Sequence, residues 1–409
     1  MSALVSEKRS NSAGRGFYEF FAGGGMVRAG LGAGWRCLFA NDIDPKKGRI
    51  YRANWGGGEL KTADVGSLAA ADLPGRAALA WASFPCQDLS LAGAGVGLQG
   101  DRSGTFWLFW KLMTALAGQS RAPKMIVLEN VCGTLTSHAG KDFEAICNAI
   151  QEAGYRVGAL VVDAALFVPQ SRPRLFIICV RNGVGIPGGC VAETPAPPWH
   201  TRIKIAYDGL SSEAKRGWIW WNPAPPPKRT TGLSHLIEDD PKDVDWFSKA
   251  EARYLISKMS ALHRAKLREA MGQKRRMVGG LYRRTRVDES GGKAQRAEIR
   301  FDDVSGCLRT PAGGSSRQVI LVVEGGSVRA RLISSRETAR LMGLPDTYLL
   351  PENYNDAYHL TGDGVVVPVV RHLARHIFEP ILDPTSPDNG VECNSGGFLP
   401  REFSRLHGA

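Results

Sequence analysis

The chain has 409 residues, of which 43% are hydrophobic and 22% are charged, so it can bury a large core and form two domains. No apolar run reaches the roughly 18 residues of a membrane span, and the polar residues 1–16 lack the apolar segment of a signal peptide, so we expect a cytosolic protein. The eight cysteines contain no Cys-x-x-Cys pair, which argues against a zinc cluster and a disulfide framework. The net charge of +12 favours a polyanionic partner.

The first predicted element is a strand over 17–21 that runs into a glycine turn. The turn spans 22–25 and contains three glycines, and residues 26–31 can begin a helix. A doubly wound α/β sheet begins in this order, and glycines at the turn let a ligand approach the backbone. Three consecutive glycines also fit a plain turn, so the pattern leaves both interpretations open.

A second predicted strand, over 35–40, ends in acidic residues. Asp42 and Asp44 follow it about 20 residues after the glycine turn, where a carboxylate can accept from ribose hydroxyls or cap a helix. Asp64 and Val65 follow a third short segment and could receive an adenine amino group.

The apolar run over 77–84 predicts a buried strand that ends at Pro85, because proline cannot donate to a strand ladder. Cys86 therefore follows the carboxyl end of a strand, where α/β sheets bind ligands. Residues 91–104 contain five glycines and predict a loop that can close over the thiol. A cysteine near a strand end is also a common core residue, so Cys86 alone does not establish catalysis.

The next predicted elements continue the alternation of strands and helices. They are helices over 105–117 and 142–153 and strands over 124–128, 156–163 and 175–180. The strand over 124–128 brings Glu129 to the edge that carries Cys86. The alternation predicts a mostly parallel sheet with helices on both faces.

The composition changes after Val180. Segments 183–198 and 223–227 are rich in Gly and Pro and have tryptophans nearby, which predicts irregular loops with exposed aromatic side chains in a second domain. Between Arg264 and Arg300, 12 Lys and Arg outnumber 4 Asp and Glu. This basic stretch indicates a polyanion partner, with a solvated helix face as the alternative.

The last part of the chain predicts a helix over 335–342 and one long helix over 358–379. His372 and His376 are spaced four residues apart on the long helix. Without a third ligand nearby, a solvated helix face is preferred to a metal site.

Four motifs occur in a fixed order: Phe-x-Gly-x-Gly at 21–25, Pro-Cys-Gln at 85–87, Glu-Asn-Val at 129–131 and Gln-x-Arg-x-Arg at 170–174. In this order and spacing they closely resemble the DNA (cytosine-5) methyltransferases of the bacterial and phage type. The resemblance covers the chain from 17 to about 382, apart from a variable stretch at about 182–300.

The resemblance implies an α/β fold in two parts. A Rossmann-like, class I S-adenosylmethionine-dependent methyltransferase domain at 17–180 is completed by a helix at 355–382. A smaller, irregular target-recognition domain occupies 181–354. The tails at 1–15 and 384–409 are expected to be disordered.

The implied reaction methylates C5 of cytosine, which is a poor nucleophile until a thiolate adds to C6. The family's nucleophile corresponds to Cys86, and Glu129 would supply a proton or a strong hydrogen bond at N3. Arg172 and Arg174 would hold the cytosine carbonyl and the acidic groups of the site.

Gln87 would lie beside these groups in the catalytic site, and with Ser90 it would contact the DNA backbone as the loop closes. The implied methyl donor is S-adenosylmethionine. Its implied contacts are Phe21, Gly23, Gly25, Asp42, Ile43, Asp64, Val65, Pro85 and Asp363. Departures from the family include Glu19, which stands where Asp is usual, and Asp363, which stands where the last motif has Asn and would put a negative charge beside the cofactor.

The implied partner is double-stranded DNA, from which the target cytosine is flipped out. Arg283, Arg284 and Arg286 are candidate guanine readers, because Arg is the commonest specific contact to guanine. We expect a monomer without membrane association, and a cognate restriction endonuclease is a candidate partner. The alternatives are a tRNA cytosine-5 methyltransferase of the same fold and a catalytically decayed DNA-binding homologue. The long, Arg-rich variable region favours duplex DNA.

Overall fold

A computed structural model describes residues 15–85, 104–287, 292–309 and 317–383. The strands of its large sheet are β1 (Gly16–Phe20), β2 (Arg36–Asp42), β3 (Leu60–Thr62), β4 (Leu79–Ala82), β5 (Met125–Asn130), β6 (Tyr155–Asp163) and β7 (Pro173–Arg181). Their order is β3-β2-β1-β4-β5-β7-β6. The first five strands pair in parallel, and β7 is antiparallel to both of its neighbours. This arrangement confirms the predicted, mostly parallel α/β sheet.

Helices cover both faces of this sheet. The helices of the first half are α1 (Met26–Leu31), α2 (Pro45–Trp55), α3 (Thr105–Gly118) and α4 (Lys141–Glu152). Side chains alternate along each strand, so Phe17 and Trp81 belong to one apolar cluster and Tyr18 and Ala80 to the cluster on the other face. Both faces are therefore buried, as parallel sheets require.

The segment after β7 packs on the large sheet. It contains β8 (Val191–Ala192), α5 (Thr201–Asp208), α6 (Ser212–Lys215) and β9 (Trp220–Trp221). The prediction of exposed aromatic side chains is wrong for Trp199 and Trp221, which are 2% and 0% exposed. Each indole N–H donates to a backbone carbonyl, that of Pro223 or Ile178, so these tryptophans can be core residues among Gly- and Pro-rich loops.

A second, antiparallel sheet follows in the order β11-β10-β12-β13. Its strands are β10 (Met277–Val287), β11 (Lys293–Arg300), β12 (Val319–Glu324) and β13 (Ser327–Leu332), and it is preceded by α7 (Lys249–Ser257) and α8 (Ala261–Met271). Apolar residues of both helices and of this sheet form a separate cluster. Most of the basic residues between 264 and 300 therefore lie on α8, β10 and β11, whereas Lys274, Arg275 and Arg276 precede β10. The domain boundaries at 181 and 354 stay predictions.

The prediction of a single long helix at 355–382 is wrong. The structure has α9 (Ser335–Leu341), α10 (Tyr354–Asp363), α11 (Val367–Leu373), a π-helical turn (Ala374–Phe378) and α12 (Glu379–Leu382). Gly364 and Val366 are extended, and Pro368 lies in the first turn of α11. Proline lacks the N–H that a continuous helix would need.

The predicted solvated face is also wrong for His372. This residue is 9% exposed, and its ring packs against Phe167 and Trp199. Burial, together with the neighbouring His376, lowers the pKa of His372 to about 4, so the ring is neutral. No group of His, Cys, Asp and Glu in the described ranges could hold a metal ion. None of the helices in that part of the chain has the length and apolar character needed to cross a bilayer.

Glu19 lies near the end of β1, just before the glycine turn in the chain, and is 1% exposed. Burial raises the pKa of its carboxyl to about 8, although the Arg28 guanidinium and amides at the start of α1 oppose the shift. The Glu19 carboxyl therefore keeps its proton in the folded chain and loses it in the unfolded chain between about pH 4.3 and pH 8. The contribution of Glu19 to stability falls as the pH rises over this window.

We expect Glu19→Gln to remove this pH dependence, because a glutamine cannot ionise. Relative to the variant, the wild-type chain should lose on the order of 2 kcal/mol of unfolding free energy between about pH 5.5 and pH 8. Urea unfolding at a series of pH values measures the difference. The exposed Glu152→Gln is the control and should track the wild type. Parallel curves for wild type and Glu19→Gln would contradict the assignment.

Candidate active site

The carboxyl ends of adjacent parallel strands bring the predicted residues to one edge of the large sheet. The strands β2, β1, β4 and β5 are neighbours in this order. Asp42, the glycine turn, Pro85 and Glu129 therefore all lie at or just after strand ends on that edge. Strand β7 is antiparallel, so its beginning, which carries Arg174, lies beside the end of β5. One edge therefore collects residues from all four motifs.

The glycine turn has an unusual backbone. Phe21, Gly23 and Gly25 have φ values of 57°, 55° and 79°, in the left-handed region. For Phe21 this conformation is strained, and such strain is typical of ligand-binding turns. An added Cβ at Gly23 would have no atom within 4 Å, so this part of the turn is open to a ligand.

Two aromatic side chains hold the turn from behind. The Gly24 carbonyl accepts from Trp55 Nε1 at 2.9 Å and from Tyr348 Oη at 2.7 Å. An added Cβ at Gly24 would lie 2.2 Å from the Tyr348 hydroxyl. Sequence reasoning missed both aromatic residues, because their contacts join segments that are far apart in the chain.

Asp42 is fixed next to the turn. Its carboxylate accepts from the amides of Gly23, at 2.7 Å, and Asp44, at 2.8 Å. Burial raises the pKa of Asp42, with Lys47 opposing the shift. The adjacent Ile43 side chain is 63% exposed and offers an apolar surface at the sheet edge. Together they form a polar and an apolar contact of the kind that a nucleoside needs.

The predicted negative charge at Asp363 is paired. Its carboxylate lies 2.7 Å from Lys47 Nζ. Burial acts to lower the pKa of Lys47, but the charges of Asp363 and Asp42 raise it above its usual value. Asp64, at the start of a short turn, accepts from the Gly66 amide at 2.6 Å, and Val65 is 4% exposed. The cofactor contacts assigned to these residues stay predictions.

Glu129 is the penultimate residue of β5 and is 6% exposed. Its Oε1 lies 3.3 Å from Arg174 Nε. The neighbouring Asn130 donates from Nδ2 to the Phe84 carbonyl at 3.3 Å and accepts from the Val131 amide at 2.8 Å. The Glu-Asn-Val segment is therefore tied to the chain that leads into Pro85. Cys86, Gln87 and Ser90 lie outside the described residues.

Arg172 is buried at 2% exposure, and its guanidinium contacts backbone carbonyls. It donates to Leu308 at 2.9 Å, and to Gly362 and Gly364 at 2.8 Å each. These bonds fasten the Gln-x-Arg-x-Arg motif to the segment before β12 and to the end of α10. The predicted contact of Arg172 with the base stays a prediction.

We expect Arg172→Met to lower the unfolding free energy by about 3 kcal/mol, because buried carbonyls lose a charged donor. Urea unfolding measures this loss. Arg49→Met is the control, since Arg49 is exposed on α2, and it should keep the wild-type unfolding free energy. Unchanged stability of Arg172→Met would contradict the assignment.

A cleft of about 750 Å³ lies between the start of β7 and the second sheet. Its basic lining residues are His263, Lys266, Arg283, Arg284, Arg300, Arg309 and Arg317. Arg284 lies 3.3 Å from Glu298 and packs over the ring of Tyr282. Of the three candidate base readers, Arg283 and Arg284 line this cleft, and the side chain of Arg286 lies outside the described residues.

Comparisons with known proteins agree with this geometry. The family model for "C-5 cytosine-specific DNA methylase" matches residues 16–379. The type II methyltransferase M.HhaI of Haemophilus parahaemolyticus is 25% identical over 377 residues, which cover 91% of this chain and 97% of M.HhaI. The type II methyltransferase M.BsuFI of Bacillus subtilis is 24% identical over 378 residues, which cover 92% of this chain and 75% of M.BsuFI.

The fold also matches solved structures. The Dnmt2 methyltransferase of S. pombe superposes with a TM-score of 0.55 at 18% identity, covering 90% of this chain and 99% of that one. This likeness concerns the fold, whereas the family model covers the sequence motifs. Because that model spans nearly the whole chain, the protein belongs to the C-5 cytosine-specific DNA methylases.

Proposed function

We propose that the chain transfers a methyl group to C5 of a flipped-out cytosine in a specific duplex DNA sequence, through a covalent bond between Cys86 and C6. The main support is the convergence of Glu129, Arg174 and the strand leading to Cys86 at one edge, beside the glycine turn. Thiolate addition to C6 makes C5 nucleophilic. Glu129 supplies a proton or a strong hydrogen bond at N3 during this addition. C5 would then take the methyl group from the sulfonium, which would leave as a neutral thioether. Loss of the C5 proton to water, with cleavage of the bond between C6 and sulfur, would restore the aromatic ring and free the Cys86 thiolate.

The family uses S-adenosylmethionine, and the turn at 21–25 fits it. Bound S-adenosylmethionine supplies an electrophilic methyl group on sulfur. The open side of Gly23 leaves room for the ligand. Asp42 is the residue proposed to accept from a ribose hydroxyl, and the exposed Ile43 is proposed to pack on an adenine ring. A glycine-rich turn after the first strand and an acidic residue at the end of the second strand are the features by which such folds bind nucleosides.

The substrate is double-stranded DNA. A cleft with seven basic lining residues suits a phosphate backbone, and Arg283 and Arg284 are the residues proposed to reach bases. Removing a base from the stack costs a few kcal/mol, which backbone contacts along the cleft offset. We propose that the protein acts as a monomer in the bacterial cytoplasm near the nucleoid, with a restriction endonuclease of the same specificity as a candidate partner.

Substrate choice is tested with radiolabelled S-adenosylmethionine and equal masses of duplex DNA, single-stranded DNA and tRNA. We expect incorporation into duplex DNA, and bisulfite sequencing of DNA from expressing cells should then show one methylated sequence. Incorporation into tRNA alone would replace the proposal with the tRNA-acting alternative. Absence of transfer to all three substrates would favour a decayed binding protein.

We expect Gly24→Ala to weaken S-adenosylmethionine binding about tenfold, because the new methyl group meets the Tyr348 hydroxyl and displaces the turn. Gly58→Ala is the control, because its added Cβ has no atom within 4 Å. Isothermal titration calorimetry with the two variants measures the effect. Equal affinities would show that the turn does not need this packing.

A further inference from the structure

Cys307 lies between the two arginines of the Gln-x-Arg-x-Arg motif. Its Sγ accepts from Arg172 Nη1 at 3.4 Å and from Arg174 Nη2 at 3.8 Å. The residue belongs to the segment between β11 and β12 and is half-buried. A sulfur atom from a distant part of the chain therefore contacts both arginines.

The surroundings favour negative charge on this sulfur. Arg172 and Arg174 are two residues apart, and the charge of Arg174 adds to burial in lowering the pKa of Arg172. Burial acts to raise the pKa of the Cys307 thiol, yet the two guanidiniums lower it below its usual value. The Leu308 carbonyl accepts from Arg172 at 2.9 Å and lies 3.4 Å from the Cys307 Sγ, so a protonated thiol can donate to it while the sulfur accepts from the arginines.

These contacts fix the orientation of Arg174. Its Nη1 donates to the Pro173 carbonyl at 2.9 Å, its Nη2 donates to Cys307, and its Nε faces Glu129 at 3.3 Å. We propose that Cys307 is a positioning residue for methyl transfer: its sulfur accepts from both arginines and holds Arg174 with Nε toward Glu129. The inference rests on the proposed function, because it assigns Cys307 a role through Glu129 and Arg174.

Cys190 shows what a core cysteine looks like in the same chain. It is 3% exposed, and burial alone raises the pKa of its thiol to about 11. Cys307 differs because charged donors reach its sulfur. Replacing Cys190 with alanine therefore changes packing without touching the arginine pair, which makes Cys190→Ala the matched control.

The test measures kcat and KM on duplex DNA containing the methylated sequence, for Cys307→Ala, Cys307→Ser and Cys190→Ala. We expect Cys307→Ala to lower kcat about tenfold, the rate equivalent of one hydrogen bond to a charged group. The KM values for DNA and S-adenosylmethionine should stay within about twofold. Cys307→Ser should recover part of the loss because its hydroxyl still accepts, and Cys190→Ala should keep the wild-type kcat.

A double-mutant cycle with Arg174→Lys separates positioning from packing. If Cys307 acts through Arg174, the losses of Cys307→Ala and Arg174→Lys should combine to much less than their product. Independent losses, an unchanged kcat in Cys307→Ala, or a rise in KM alone would each overturn the inference. Failure of the wild-type protein to methylate duplex DNA would instead overturn the proposed function.

Discussion

Replacing Cys86 with alanine is expected to abolish methyl transfer, with a loss of at least about four orders of magnitude in kcat. The reason is chemical. C5 of cytosine becomes nucleophilic only after the thiolate donates an electron pair to C6, and alanine has no electron pair to donate. The strand β4 and the bond from Asn130 to the Phe84 carbonyl place the chain entering Cys86 beside Glu129. Radiolabelled methyl transfer to duplex DNA measures the loss.

Cys190→Ala is again the control, since it removes a buried thiol from the apolar core. It should methylate at the wild-type rate. Binding of S-adenosylmethionine by Cys86→Ala should be unchanged, because the glycine turn and Asp42 do not depend on the thiol. Residual activity above about one per cent in Cys86→Ala would be incompatible with a covalent mechanism at this residue.

Glu129→Gln is expected to lower kcat by about 10²–10⁴-fold, the range that a positioned general acid or base contributes. A glutamine amide can donate a hydrogen bond to N3 but cannot transfer a proton, and it removes the ion pair with Arg174 Nε. Steady-state methyl transfer on duplex DNA measures the effect. The affinity for S-adenosylmethionine should not change.

The matched control for this variant is Glu144→Gln, which makes the same change of charge on α4. Glu144 accepts from the Ser211 amide and lies outside the site. It should leave kcat at the wild-type value. If both glutamine variants lost activity equally, the effect of Glu129→Gln would come from net charge or stability, and its proposed contact with N3 would be wrong.

The strand ends were predictable because each has a local signal in the sequence. Pro85 ends an apolar run, the glycines follow β1, and acidic residues lie at the ends of β2 and β5, so the sequence predicts the shared edge. The parallel pairing of β1 with β2 and β4, and of β4 with β5, confirms this placement. In a parallel sheet the carboxyl ends of neighbouring strands lie at one edge, so residues with a strand-end signal in the sequence come together there.

Contacts between distant segments could not be predicted in this way. Nothing near Arg172 in the sequence indicates that its guanidinium binds carbonyls at 308, 362 and 364. Likewise, Gly- and Pro-rich surroundings suggested exposed tryptophans, whereas Trp199 and Trp221 are buried in the core. No local pattern around Cys307 indicates that its sulfur contacts Arg172 and Arg174. Tertiary packing decides all of these features, and composition carries little information about it.

The covalent step is tested most directly with duplex DNA that carries 5-fluorocytosine at the methylated position. Fluorine at C5 cannot leave as a cation, so the enzyme cannot release the base after methyl transfer, and the bond to C6 persists. A covalent mechanism at Cys86 predicts a stable protein–DNA complex that requires S-adenosylmethionine and maps by peptide mass spectrometry to Cys86. Absence of any adduct, or an adduct on another residue, would contradict it.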